Sequence, residues 1–143
     1  MKSTLFLAQT DTTIGFLCQD PHTINQAKGR NKQVLLEVDS LQTLKSFVRV
    51  PQKYKNMVRK SRKTTFIYPN CKAIRVVFDS WHLRFLRTLK WAYSSSANLS
   101  GKDFDINFAT SRADTIIEDK RGLFQAPPSK IYKINQSHLK RIR

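Results

Sequence analysis

Three polar stretches in this chain combine the residue types that bind anions. Thr10-Asp11-Thr12-Thr13 follows an apolar run, and Lys28-Gly29-Arg30-Asn31-Lys32 puts three cations just before another. Ser94-Ser95-Ser96-Ala97-Asn98-Leu99-Ser100-Gly101 places hydroxyls and an amide at the end of a third. Hydroxyls and backbone N–H groups satisfy phosphate oxygens, and Lys or Arg neutralises them. Ligands of α/β proteins sit in crevices at strand ends. Taken singly, each stretch also reads as a turn or a solvated helix end. Other chemistries are excluded more directly. With four glycines there is neither GxxxxGK[ST] nor GxGxxG, so neither a P-loop nor a Rossmann site is encoded. Cys18 and Cys71 are far apart and form no CxxC pair; both read as small buried hydrophobes. His22, His82 and His138 lack metal-ligand spacing, and no fixed metal site is expected.

The elements that must position these stretches alternate. Thr4–Ala8 reads as a strand, residues 9–15 as a polar loop, and Asp20 or Thr23 as the cap of a helix ending near Gly29. Residues 33–38 read as a strand, 40–48 as a Ser-capped helix, and 51–60 as a basic helix. Strands are expected at 64–68 and 73–78, the latter with Arg75 inside an apolar run. An amphipathic helix is expected at 81–91 and a short strand at 92–95. Residues 112–119 suggest a short helix or turn, and 130–134 a last strand. This alternation argues an α/β or α+β chain with a mixed sheet. Its 143 residues make one domain, 1–143.

Charge is concentrated. The formal net charge is +16, and residues 46–92 hold 12 basic groups against a single acid, Asp79. Such a field favours a polyanion or a nucleotide. Lys53, Lys55, Arg59, Lys60, Arg62 and Lys63 form the densest run, interleaved or flanked by Tyr54, Phe66 and Tyr68, and read as a candidate nucleic-acid face. Stacking on Tyr54 or Tyr68 would add to it, although aromatics in strands and helices more often belong to the core. No apolar run approaches a membrane span, and Thr4–Leu7 is too short for a signal segment. A cytoplasmic location without a membrane partner is the expectation.

In this order the stretches resemble a known family. Ser95-Ser96-Ala97-Asn98-Leu99-Ser100-Gly101 resembles the S-x-S-A-N-x-S-G motif of the YrdC family, the threonylcarbamoyl-AMP synthases. Thr10-Asp11-Thr12-Thr13-Ile14-Gly15 is similar to its P-T-[DE]-T-x-Y-G-L motif, and Lys28-Gly29-Arg30 stands where its K-x-R is expected. Ala73-Ile74-Arg75-Val76, Thr64–Pro69 and Pro128-Ser129-Lys130-Ile131 are similar to further family segments. The chain departs at Gln9 for Pro, at Ile14 for an aromatic, and at Ser61-Arg62-Lys63 for Pro-Gly-Pro. It also lacks the family's N-terminal helix.

The resemblance implies an α/β fold, a YrdC/RibB-like twisted open mixed sheet with flanking helices and a basic concave face. It implies a reaction joining L-threonine, bicarbonate and ATP, with Mg2+ accompanying ATP, for tRNA threonylcarbamoyladenosine modification. Lys28, Arg30, Ser96 and Asn98 would be catalytic. Thr10, Thr12, Thr65, Arg75, Ser94, Ser129 and Arg143 would bind substrate or nucleotide. Other threonylcarbamoyl-transfer proteins would be partners. Two readings stay open beside the enzyme: a catalytically degenerate relative that binds double-stranded RNA or tRNA, and a partner-binding role through the tail His138–Arg143. Arg75, costly to bury alone, needs an inward carboxylate or phosphate unless it faces solvent from an edge strand.

Overall fold

A computed structural model describes residues 3–143. The chain begins with an antiparallel hairpin, β1 (Phe6–Gln9) and β2 (Ile14–Cys18). Helix α1 (Pro21–Lys28) follows, capped by Asp20, whose carboxylate accepts from the His22 N–H. Gly29 closes it at φ +67°, a left-handed conformation that glycine adopts without a Cβ penalty. Next come β3 (Leu35–Val38), α2 (Leu41–Lys45, capped by Ser40), a 3-10 turn at Gln52–Tyr54 and α3 (Lys55–Lys60). Then follow β4 (Thr64–Ile67), β5 (Ala73–Val76), α4 (Ser80–Leu89, capped by Asp79) and β6 (Trp91–Ser96). The chain finishes with α5 (Ile106–Arg112), β7 (Thr115–Ile117), β8 (Lys130–Ile134) and β9 (Leu139–Arg141).

Among the described residues the strands form one mixed sheet in the order β7-β1-β2-β6-β3-β5-β4-β8-β9. β6, late in the chain, runs antiparallel between β2 and β3. Strand alternation sorts the side chains into two faces. On one face Leu36, Val38, Phe66, Ile74 and Val76 pack against Leu44 and Val48 of the α2 region and Val58 of α3. Beside them Leu7, Phe16 and Cys18 pack against Ile24 and Ala27 of α1 and Ala109 of α5. The other face is apolar only under α4, where Ala8, Leu17 and Ala92 meet Leu83 and Leu86.

Several expectations need correction. Residues 14–18, read partly as loop, form a strand buried along its whole length; with both faces covered, Ile-Gly-Phe-Leu-Cys shows no alternation. The helix expected at 112–119 lies earlier, at Ile106–Arg112. The Asp114 carboxylate then takes the Leu5 N–H at 2.9 Å and draws the chain into β7. The helix expected over 40–48 stops at Lys45, and that expected over 51–60 opens with a three-residue 3-10 turn before the α-helix Lys55–Lys60. The one expected to reach Trp91 stops at Leu89, and Lys90, at φ +70°, turns the chain into β6. The C-terminal tail is not merely solvated, since Leu139–Arg141 pairs with β8. Cys18 is buried as expected, but Cys71 is exposed on a turn. No helix among the described residues is long and apolar enough to cross a membrane.

Candidate functional site

The polar residues left on the second face follow from register. Glu37 of β3, Arg75 of β5, Thr65 of β4 and Ile131 of β8 lie side by side across four adjacent strands. One step along, Ser94 of β6 stands beside Leu35, and one step further Ser96 stands beside Gly15. β3 begins at Leu35, so Ser95 and Ser96 extend past its end, and Arg30 fills the gap. Its Nη2 donates to Ser95 Oγ at 2.7 Å.

Together these residues floor a cleft of about 330 Å³. Of the residues read from sequence as catalytic or substrate-binding, nine line it. Arg30, Thr10 and Thr12 come from the N-terminal stretches, and Thr65, Arg75, Ser94 and Ser96 from the strands. Ser129 and Arg143 come from the last segment. Gly15 allows a close approach here, because a Cβ would stand 3.1 Å from the Ser95 carbonyl oxygen and 3.2 Å from Thr10 Cγ2.

Two residues expected to be catalytic do not line the cleft. Lys28 is buried beneath it, and its ammonium donates to the Ser96 carbonyl (2.6 Å), the Asn98 carbonyl (2.8 Å) and Asn98 Oδ1 (3.1 Å). Asn98 is turned inward by the same contacts, and its Nδ2 donates to the Leu99 and Lys102 carbonyls. This pair ties the end of β6 to the end of α1, so Lys28 positions Ser96 and does not itself face the cleft. Burial, and then the nearby charge of Arg30, push the Lys28 ammonium down to about 8.

Beneath the floor lies a buried ionic cluster, of which Arg75 alone lines the cleft. Arg75 donates from Nε to Asp11 at 3.1 Å and from Nη2 to Glu37 at 2.9 Å. The second Glu37 oxygen meets His82 Nε2 of α4 at 2.5 Å. β5 is an interior strand, so Arg75 has the inward carboxylates it needs and is not an edge residue facing solvent. Burial drives the Glu37 carboxyl upward, but Arg75 and His82 outweigh it and hold the group at about 2. Asp11 is raised by burial despite Arg75. Asp11, Glu37 and His82 converge closely enough to suggest a metal. Yet the guanidinium of Arg75 already supplies the positive charge between the two carboxylates, so the residues present do not fit an ion there.

The walls are tied as firmly. The Thr10 hydroxyl donates to the Thr13 carbonyl at 2.6 Å and accepts from the Thr12 N–H at 3.1 Å, fixing the β1–β2 turn. Arg121 donates to the Gln9 and Thr10 carbonyls, both at 3.0 Å. Ala126 N–H donates to Thr13 Oγ1 at 2.9 Å. The strap 121–129 is thereby laid along the turn and delivers Ser129, whose hydroxyl meets Thr65 Oγ1 at 2.8 Å and Arg143 Nη2 at 3.1 Å. Arg30 and Arg143 have no carboxylate partner among the described residues, and burial lowers the pKa of both. Arg30 Nε is also buried without a hydrogen-bond partner. Two desolvated, uncompensated guanidiniums amid eight lining hydroxyls make an anion-accepting cleft.

Sequence reasoning did not find Glu37, His82 or Arg121. The signal for Glu37 was present, since Arg75 in an apolar strand demands a counter-charge and Glu37 is the acid inside another apolar strand. Lys53, Lys55, Arg59, Lys60, Arg62 and Lys63 are exposed, as a nucleic-acid face requires, but none lines the cleft. The stacking expected there is corrected. Tyr54, Phe66 and Tyr68 are buried in the core, since their rings fill the space between the sheet and α3.

The sequence matches no protein-family model and no curated protein sequence. Solved structures do match. A doubly substituted Sua5 from P. abyssi superposes with a TM-score of 0.82 at 16% identity, over 98% of this chain and 49% of that one. P. abyssi Sua5 complexed with L-threonine gives 0.78 at 16% identity, over 98% and 50%. E. coli YciO gives 0.76 at 15% identity, over 99% and 82%. The chain therefore spans about half the length of the P. abyssi proteins. It has the fold of these proteins, and the α/β mixed open sheet expected from the resemblance is the one found.

Proposed function

We propose that this chain is a short YrdC-type protein whose cleft binds a nucleotide and L-threonine and forms L-threonylcarbamoyladenylate. The observation that carries the reading is convergence. Residues from separate motif-like stretches, chosen from sequence, line one anion-accepting cleft. The threonine complex of a structural neighbour with the same fold supports the amino-acid half.

The reaction fits the groups present. The threonine amine and bicarbonate condense to a carbamate, forming an N–C bond with loss of water. A carbamate oxygen then attacks the α-phosphorus of ATP, and the bond to the β-phosphate oxygen breaks to release pyrophosphate. Negative charge builds on the transferring and leaving phosphates, where preorganised guanidiniums act most strongly in a desolvated site. Arg30 and Arg143 are placed for that work, and the hydroxyls of Thr12, Ser94, Ser96 and Ser129 can orient phosphate or carbonyl oxygens. Lys28 and Asn98 act by holding Ser96. The lining offers no free carboxylate, so Mg2+ would arrive on the triphosphate of its substrate and not be held by a protein cage.

The test is threonine-dependent pyrophosphate release from purified protein supplied with ATP, Mg2+ and bicarbonate. Release that requires threonine and is lost in Arg30→Ala is the expected result. Release without threonine, or none at any threonine concentration, overturns the reading.

A second reading rests on the exposed cations from Lys53 to Lys63, which have no carboxylate partners among the described residues. They suit double-stranded RNA or tRNA bound through phosphates alone. Such binding weakens steeply with salt; affinity unchanged between 50 and roughly 200 mM salt removes it.

A further inference from the structure

A second concavity lies on the opposite face of the sheet from the cleft and shares no lining residue with it. It is a groove of about 450 Å³ between α2, the turn that follows it, and α3. Its floor is wholly aliphatic: Leu41, Leu44, Val48, Val50 and Val58. Its rim carries four cations, Lys45 and Arg49 on one side and Lys55 and Arg59 on the other, all exposed. None of the four has a carboxylate partner among the described residues. The cause lies in the sequence, which carries ten Lys and Arg and no Asp or Glu from residue 41 to residue 78.

An aliphatic floor has no use for a phosphodiester backbone, and a purely electrostatic surface needs no floor. Small-molecule sites are mostly apolar concavities of roughly 300–1,000 Å³ with a few polar groups that fix orientation. We propose that this groove binds a free amphipathic anion, with an unbranched aliphatic body on the Leu/Val floor and a carboxylate or phosphate head among Lys45, Arg49, Lys55 and Arg59. The two parts of the ligand answer the two parts of the groove. The body removes apolar surface from water, and the head meets four cations that have no carboxylate partner among the described residues.

The probe is dodecanoate, titrated into the full chain by calorimetry at low salt. Saturable binding is expected, weakening roughly two- to fourfold for each methylene removed toward octanoate, the upper figure being full burial of a methylene. Dodecyltrimethylammonium, with the same tail and the opposite head, is expected to bind at least about tenfold more weakly. Val50→Trp, which fills the groove from a half-buried position, and the pair Arg49→Glu/Arg59→Glu, which reverses the rim, should each abolish binding. Arg87→Glu, exposed on α4 and outside the groove, should leave it unchanged. Equal binding of the cationic detergent, or binding that survives both groove variants, overturns the proposal. So does displacement of dodecanoate by ATP, which would put the ligand in the cleft. Circular dichroism of each variant confirms the fold; should Val50→Trp unfold, Leu41→Trp replaces it. The result is independent of whether the cleft makes an adenylate.

Discussion

Glu37→Gln removes one charge from the buried cluster beneath the cleft and changes almost no volume. Glu37 is 0% exposed, and its two oxygens meet Arg75 and His82 at 2.9 and 2.5 Å. Loss of one partner from a buried pair costs roughly 3–5 kcal/mol, because the remaining charge stays desolvated. Asp11 still faces Arg75 at 3.0 Å, so the lower half of that range, about 3 kcal/mol, is expected. At roughly 3 °C per kcal/mol for a chain of this size, the melting temperature should fall by roughly 10 °C. Urea unfolding of Glu37→Gln, Arg75→Met and the double variant completes a cycle. The double variant should cost less than the two singles together by roughly 2–3 kcal/mol, since a desolvated arginine no longer remains. Additive costs within about 0.5 kcal/mol, or a Glu37→Gln change below about 1 kcal/mol, would falsify the assignment of Glu37 as the anchor of Arg75.

The same carboxylate sets an acid limb. Its folded pKa of about 2 lies below its ordinary 4.5, so its stabilisation is complete above about 4.5 and is lost as pH falls through about 2. The urea midpoint of the wild type should fall across that window, and more steeply than that of Glu37→Gln. Asp11, shifted upward chiefly by burial, works in the opposite sense in the wild type. Tyr68 is 1% exposed and its hydroxyl has no hydrogen-bond partner. Tyr68→Phe should therefore stabilise the fold, by about 1 kcal/mol; a loss of stability would show that the hydroxyl is satisfied. Lys28→Met removes the ammonium from the part-buried Ser96 and Asn98 carbonyls and from Asn98 Oδ1, which keeps the Ser96 hydroxyl, and should cost about 1.5–3 kcal/mol. Arg30→Ala, from a half-buried wall, should cost less than about 1 kcal/mol while weakening nucleotide binding. Equal costs would put Lys28 back among the ligand-binding groups.

The cleft was legible in the sequence to the extent that its residues sit at strand ends in polar clusters. Thr10–Thr13, Arg30 and Ser94–Ser96 stood out because hydroxyls and cations interrupt otherwise apolar segments. Arg75 stood out for the same reason. What a linear reading could not supply was direction. Lys28 and Arg30 are two residues apart, yet one turns under β6 and the other over its edge, a difference set by Gly29 and by where β3 begins. Glu37 was missed because a linear sequence does not show that its strand lies beside that of Arg75, and His82 because it is a polar residue in an amphipathic helix, where solvent exposure is the ordinary outcome. α5 and β7 were misplaced because a tertiary contact, Asp114 to Leu5, decides where the chain straightens. Of the two fates open to the aromatics of the basic region, stacking surface or core, the structure takes the core, a choice on which net charge carries no information.

The place of β6 also determines how the molecule can come into being. Residues 6–18 and 35–76 pair among themselves as two separate ribbons, and no strand joins them until residues 91–96 enter between. Gly15 finds Ser96, and Leu35 finds Ser94, only across long intervening chain, and such non-local pairings are slow to form. A chain emerging from the ribosome with β6 still inside the tunnel holds two unjoined ribbons and no cleft. The insertion that unites the ribbons brings Ser94 and Ser96 to Arg30 and Arg75, and the last segment then adds Ser129 and Arg143, so a ligand of the whole cleft can stabilise only chains in which both are in place.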